Sequence, residues 1–188
     1  MTIAADAGGR DVVEPWIQAA SALHVTLLDP ELAIASLYKV RNVPSAFWID
    51  ESDRIVRAND PIYMLRRDRA TGETSRNETY LTAVRDWVAN GSSSKFLADE
   101  AALEKRRPPT TLSDMEAMAS FELGLYLIRH GAPSRAERHF DRTRQLAPDN
   151  WTFRRQAWSL SGATQETIIR AIRDPAAPAF YPELDLGQ

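Results

Sequence analysis

Apolar and polar positions recur along this chain with two different periods. Val12, Val13, Trp16, Ile17 and Ala20 fall at helical spacing and predict a helix over residues 11–22, with Pro15 tolerated near its start. His24 to Leu28 predicts a short strand stopped by Asp29 and Pro30, and residues 31–40 predict a helix broken by Arg41-Asn42-Val43-Pro44. Two alternating runs follow, Ser45–Asp50 and Arg54–Ala58, joined by the turn residues Glu51-Ser52-Asp53; together they predict a hairpin. Residues 59–77 are polar and without period, which predicts a surface loop.

From Asn77 onward the period is 3.6. Tyr80, Leu81, Val84, Trp87 and Val88 predict an amphipathic helix to Asn90, and a further helix is expected over 96–105. Arg106-Arg107-Pro108-Pro109 predicts a linker, so the chain divides into an α/β part (1–107), a helical part (110–174) and an extended tail (175–188). In the helical part, helices are expected over 113–130, 134–146, 150–160 and 164–173. Ser113 with Glu116, and Ser134 with Glu137, match the capping-box spacing at the first two starts.

Composition narrows the chemistry. Of 188 residues, 44% are hydrophobic and 26% charged, enough to bury a core. The net charge of −3 argues against phosphate-backbone binding, so no nucleic-acid partner is expected. With no cysteine, the sequence offers no thiolate, disulfide or Cys-type metal site. His24, His130 and His139 fall in no metal-ligand spacing, and no glycine-rich phosphate loop or serine-centred elbow is present. No cofactor is expected. The N-terminus lacks the pattern of a secretory signal and no apolar run is long enough to span a bilayer, which predicts a cytoplasmic protein without a membrane partner. Arg135, Arg138 and Arg142 share a helix face, but Glu137 and Asp141 interleave with them, which reads as a solvated face.

Residues 11–60 resemble the C-terminal part of a thioredoxin-like redoxin, of the branch with thiol–disulfide oxidoreductases and alkyl-hydroperoxide-reductase-type proteins. The likeness rests on Val25-Thr-Leu-Leu-Asp-Pro30, Leu37-Tyr-Lys-Val-Arg-Asn-Val-Pro44, Ala46-Phe-Trp-Ile-Asp50 and Arg54-Ile-Val56. It implies a cis Val43–Pro44 bond and a backbone at Val43 that meets an extended peptide. The Cys-x-x-Cys strand and helix that precede this segment in the family are missing from the sequence, so thiol exchange is excluded for it as it stands. The strand Ser45–Asp50 is then expected to leave an apolar edge open to another chain, unless the N-terminal segment or the C-terminal helices cover it. A start lying further upstream, with a cysteine- or selenocysteine-bearing segment, is the alternative.

Residues 117–150 resemble a tetratricopeptide repeat. Leu123, Gly124, Gly131, Ala136, Phe140 and Pro148 occupy the repeat's characteristic places, while Ser120, Leu127 and Thr143 depart from them. The resemblance places Met118, Phe121, Leu125, Ile128 and Arg129 on the concave side, either as a partner groove or as the interface with the α/β part.

The sequence therefore predicts an α/β plus all-α chain: a truncated thioredoxin-like part with a cis-proline loop, followed by tetratricopeptide-like hairpins. Its expected role is a redox-inactive interaction protein that holds a protein partner or forms a homodimer. Val43, Pro44 and Trp48 join the concave row as candidate partner-binding residues. The alternative is a repurposed enzyme or small-molecule binder whose pocket, between the two parts, is lined by Trp48 and Pro44.

Overall fold

The computed structural model describes residues 1–61, 65–67, 71, 73–178 and 184–186. Strand β1 (Thr2–Ala4) leads through Gly8 and Gly9 into helix α1 (Arg10–Ala20), and strand β2 (Thr26–Leu28) returns to lie parallel to β1. No strand was expected ahead of the first helix; three residues with a single large apolar side chain give no readable alternation. Helix α2 (Ala33–Leu37) is shorter than the 31–40 expected. Leu32 and Lys39 take left-handed backbone at either side of it, and the buried Asp29 carboxylate accepts the Ala35 N–H (2.9 Å).

The expected hairpin forms from β3 (Ser45–Ile49) and β4 (Ile55–Pro61), antiparallel. Asp50 closes its turn by accepting the N–H groups of Ser52 and Arg54 and the Arg54 guanidinium, contacts that hold its carboxyl below the usual carboxylate range. Residues 59–77 are not wholly a loop: β4 runs to Pro61, and β5 (Leu65–Arg67) pairs antiparallel with β6 (Thr74–Arg76). Helix α3 (Glu78–Asn90) starts on an Asn77 cap, and α4 (Glu100–Arg106) on an Asp99 cap.

Helices α5 (Leu112–Arg129), α6 (Pro133–Leu146), α7 (Trp151–Leu160) and α8 (Gln165–Arg173) follow. The capping box at α5 is Thr111 with Asp114, not Ser113 with Glu116. Ser113 instead donates its hydroxyl to the Leu146 carbonyl (2.7 Å), tying the end of α6 to the start of α5. At α6 there is no side-chain cap; Pro133 supplies the pre-set φ of a first turn, and Glu137 pairs with Arg144 (2.8 Å).

The chain packs as two units, one formed by residues 1–43 with 110–180, the other by 44–109 with 181–188. The chain passes between them at Val43–Pro44 and at Pro109–Thr110, so residues 1–43 group with the helices and not with 44–107. The tail expected over 175–188 falls partly outside the described residues. In the first unit, Ala7, Leu32 and Ala35 pack with Phe121, Leu125, Phe140, Phe153 and Ala157. In the second, Trp48, Tyr80, Ala83, Phe96 and Leu186 form the core.

Gly124 sets the spacing of α5 and α6. A Cβ there would lie 2.6 Å from Cε1 of Phe140, which is fully buried. In an open helix Gly→Ala stabilises by ~1 kcal/mol. Here Gly124→Ala is expected to destabilise by about 1–3 kcal/mol through overpacking, measured by urea denaturation. A stabilised variant would show that Phe140 has room to move.

Candidate interaction surface

The residues singled out by sequence fall in three places. Val43 lies where the chain leaves the first unit. Its N–H donates to the Asn42 side chain (2.9 Å) and its carbonyl accepts from Arg155 Nη1 (3.1 Å), so both backbone groups are engaged within the chain. Pro44, exposed, begins the second unit.

Trp48 is a core residue of the second unit. It stacks on Trp87 (centroids 4.9 Å apart, 15°), meets Tyr80 edge-on, and donates Nε1–H to the Tyr80 hydroxyl (3.0 Å). Burial pushes the Tyr80 phenol up, partly offset by that hydrogen bond. The Arg57 guanidinium lies 5.2 Å from the Trp48 ring centre.

Beside it is an ionic cluster that the sequence did not reveal. Arg57 grips Asp60 with two parallel bonds, Nε to Oδ2 (2.7 Å) and Nη2 to Oδ1 (2.9 Å). Its remaining donors reach the carbonyls of Phe96 and Asp185. Arg106 adds a second cation on Asp60 and also bonds the Asp185 carbonyl. Residues three apart on a regular strand point to opposite faces. A register shift in β3–β4 and the left-handed Asn59 bring Arg57 and Asp60 to one side. The cluster uses its donors within the unit, which marks it as architecture.

The row on α5 is covered within its own unit. Phe121 and Leu125 are buried, and Met118 and Ile128 pack at the margin of the same core. Arg129 pairs with Glu31 (3.0 Å) and bonds the Pro30 carbonyl. Of the two readings of this row, the geometry gives an internal interface. Next to it Glu31, Glu122, Leu125, Tyr126, Arg129 and His130 line a hollow of about 290 Å³, with Tyr126 and His130 stacked along one wall.

The β1–α1–β2 segment is different. A parallel strand pair ordinarily has both faces covered. Here Ile3, Val25 and Leu27 share one face and all three are exposed, Val25 at 63% and Leu27 at 41%. The opposite face carries the half-buried Ala4 and Leu28 at one end and a polar group at the other, where the Thr2 hydroxyl bonds Thr26 Oγ1 (3.0 Å) and His24 Nε2 (3.1 Å). On α1 only Val13 is buried, while Val12 and Trp16, one turn apart, stand in solvent, Trp16 at 77%. Leu23, between α1 and β2, is fully exposed. Among the described residues each sheet has two strands, so β1 and β2 have only each other. Sequence reasoning looked for an open edge at β3 and missed this one, because β1 itself was not legible.

Comparison with protein-family models, with curated proteins and with solved structures finds no match for this chain. What stands on structural grounds is the class: a mixed α/β protein with eight α-helices and small two-stranded sheets among the described residues. No described helix is long and apolar enough to cross a membrane.

Proposed function

We propose that this chain is a redox-inactive interaction protein, thioredoxin-like in its α/β part and tetratricopeptide-like in its helices, which acts by binding a protein or a second copy of itself. The carrying observation is the apolar surface of β1–α1–β2, with Trp16, Leu23 and Val25 largely in solvent. Apolar exposure of this kind in one small segment marks interaction sites. The missing thiolate supports binding over exchange chemistry. A cytoplasmic setting and a cis Val43–Pro44 bond belong to the same reading.

The test compares the wild-type chain with a Val12→Ser, Trp16→Asp double variant. Both side chains are exposed, so circular dichroism and melting are expected to stay unchanged. Light scattering and affinity capture are expected to give the wild type a mass above the monomer or a retained protein, lost in the variant. A wild-type monomer that retains nothing overturns the reading.

A further inference from the structure

We infer that the outer edge of β2 is a dimerisation strand, which pairs antiparallel with β2 of a second copy about a two-fold axis at Leu27. The inference rests on the binding reading above and names its partner. The Thr2 N–H donates to the Val25 carbonyl (2.9 Å) and the Asp29 N–H to the Ala4 carbonyl (2.8 Å). These bonds fix the phase of the ladder: on β2, residues 25, 27 and 29 turn their backbone groups towards β1, and Thr26 and Leu28 turn theirs away. On β1 Ile3 faces away, and so does Ala5 just past the strand. There Gln156 intervenes: its Nε2 donates to the Ala5 carbonyl (3.3 Å) and its Oε1 accepts the Ala7 N–H (2.8 Å). Gln156 thus occupies the edge just past β1, whereas no strand meets the β2 edge among the described residues.

Three features favour a second copy as the occupant. First, Leu23 to Leu28 carries no Asp, Glu, Lys or Arg, so a copy of this strand brings no like charge against it. Edges that avoid self-pairing usually carry such charges. Second, a two-fold allows one strand to meet itself only in antiparallel fashion, and this phase suits it. Thr26 exchanges both backbone bonds with Leu28 of the second copy, Leu28 does so with its Thr26, and Leu27 faces Leu27 in a non-hydrogen-bonded pair. The apolar row then runs unbroken as Ile3, Leu27, Leu27, Ile3 across four strands. Third, Ile3, Val25 and Leu27 on one face of the strand pair, and Leu23 just before β2, are all exposed, so a second copy at this edge would cover apolar side chains that one chain leaves in water.

The absence of cysteine makes the test clean. Non-hydrogen-bonded pairs bring Cα atoms to ~4.5 Å, within the ~4.4–6.8 Å that a disulfide spans. Under mild oxidation Leu27→Cys is expected to give a covalent dimer on non-reducing gels, at least ~10-fold faster than Thr26→Cys or Val25→Cys, whose side chains face away or are out of register. Thr26→Pro removes an N–H that the β1–β2 ladder does not use. Leu27→Lys sets charge against charge at the axis. Both are expected to reduce the mass by light scattering from dimer to monomer with unchanged circular dichroism; should the proline variant fail to fold, Leu27→Lys carries the measurement. Equal cross-linking rates, or a dimer that survives both substitutions, overturns the β2 edge and leaves the binding reading intact. A wild-type monomer that captures a protein through Trp16 does the same, and a monomer that captures nothing overturns both.

Discussion

Asp60→Ala is expected to destabilise the unit of residues 44–109 by about 3–5 kcal/mol, the cost of leaving a buried cation without its counter-ion. The pair is out of water: side-chain exposure is 3% for Arg57 and 0% for Asp60. Removing the carboxylate leaves Arg57 with only the carbonyls of Phe96 and Asp185, and leaves Arg106 facing it. Asp60→Asn, which keeps one acceptor oxygen and loses the charge, is expected to fall between. Trp48 and Trp87 stack in the same core, while Trp16, Trp151 and Trp158 belong to the other unit, so the change is read as the part of the guanidinium transition in tryptophan emission that the substitution moves. The exposed pair Glu78–Arg85 is the control, with no measurable change expected on removing it. A loss below ~1 kcal/mol for Asp60→Ala would mean that water reaches Arg57 and the cluster is not sealed.

Phe121→Ala is expected to cost about 3–5 kcal/mol in the other unit. The ring is 1% exposed, stacked on Phe153 (4.8 Å, 21°) and tilted against Phe140 (5.7 Å, 48°). It lies where α5, α6, α7 and the residues around Leu32 share one core, so a cavity there loosens all of them. Leu123→Ala, on the same helix but 44% exposed, is expected to cost much less. Urea denaturation of the two variants separates the roles: were the α5 row a groove awaiting a partner, both would be mild.

The contrast between these residues also explains what could be read from sequence. Helices α3, α5, α6 and α7 carry apolar residues at 3.6 spacing over two turns or more, and the β3–β4 hairpin has alternation flanked by turn residues; such patterns survive without tertiary context. The start of α5 did not, because Thr111-x-x-Asp114 and Ser113-x-x-Glu116 both fit a capping box, and only the direction of the incoming chain selects between them. The row Met118, Phe121, Leu125, Ile128 and Arg129 was legible as a row. Its cover, from Leu32, Ala35 and Glu31, lies some ninety residues upstream and follows from no local rule. Arg57, Asp60 and Arg106 were the least legible: a strand reading sends Arg57 and Asp60 to opposite faces, and only the irregularity at Asn59 brings them together. Strand β1 fell below the length at which any periodicity exists.

The order in which the two units draw on the chain bears on how it is born. The helices that complete the core of residues 1–43 start at residue 110, and the Asp185 carbonyl that both Arg57 and Arg106 bond lies 79 residues beyond Arg106. Each unit therefore closes through contacts distant in sequence, and the apolar segments made early wait for partners made much later. A chain halted before residue 110 would hold Leu32 and Ala35 without the Phe121 and Phe140 that share their core, and one halted before Asp185 would leave Arg57 and Arg106 short of an acceptor.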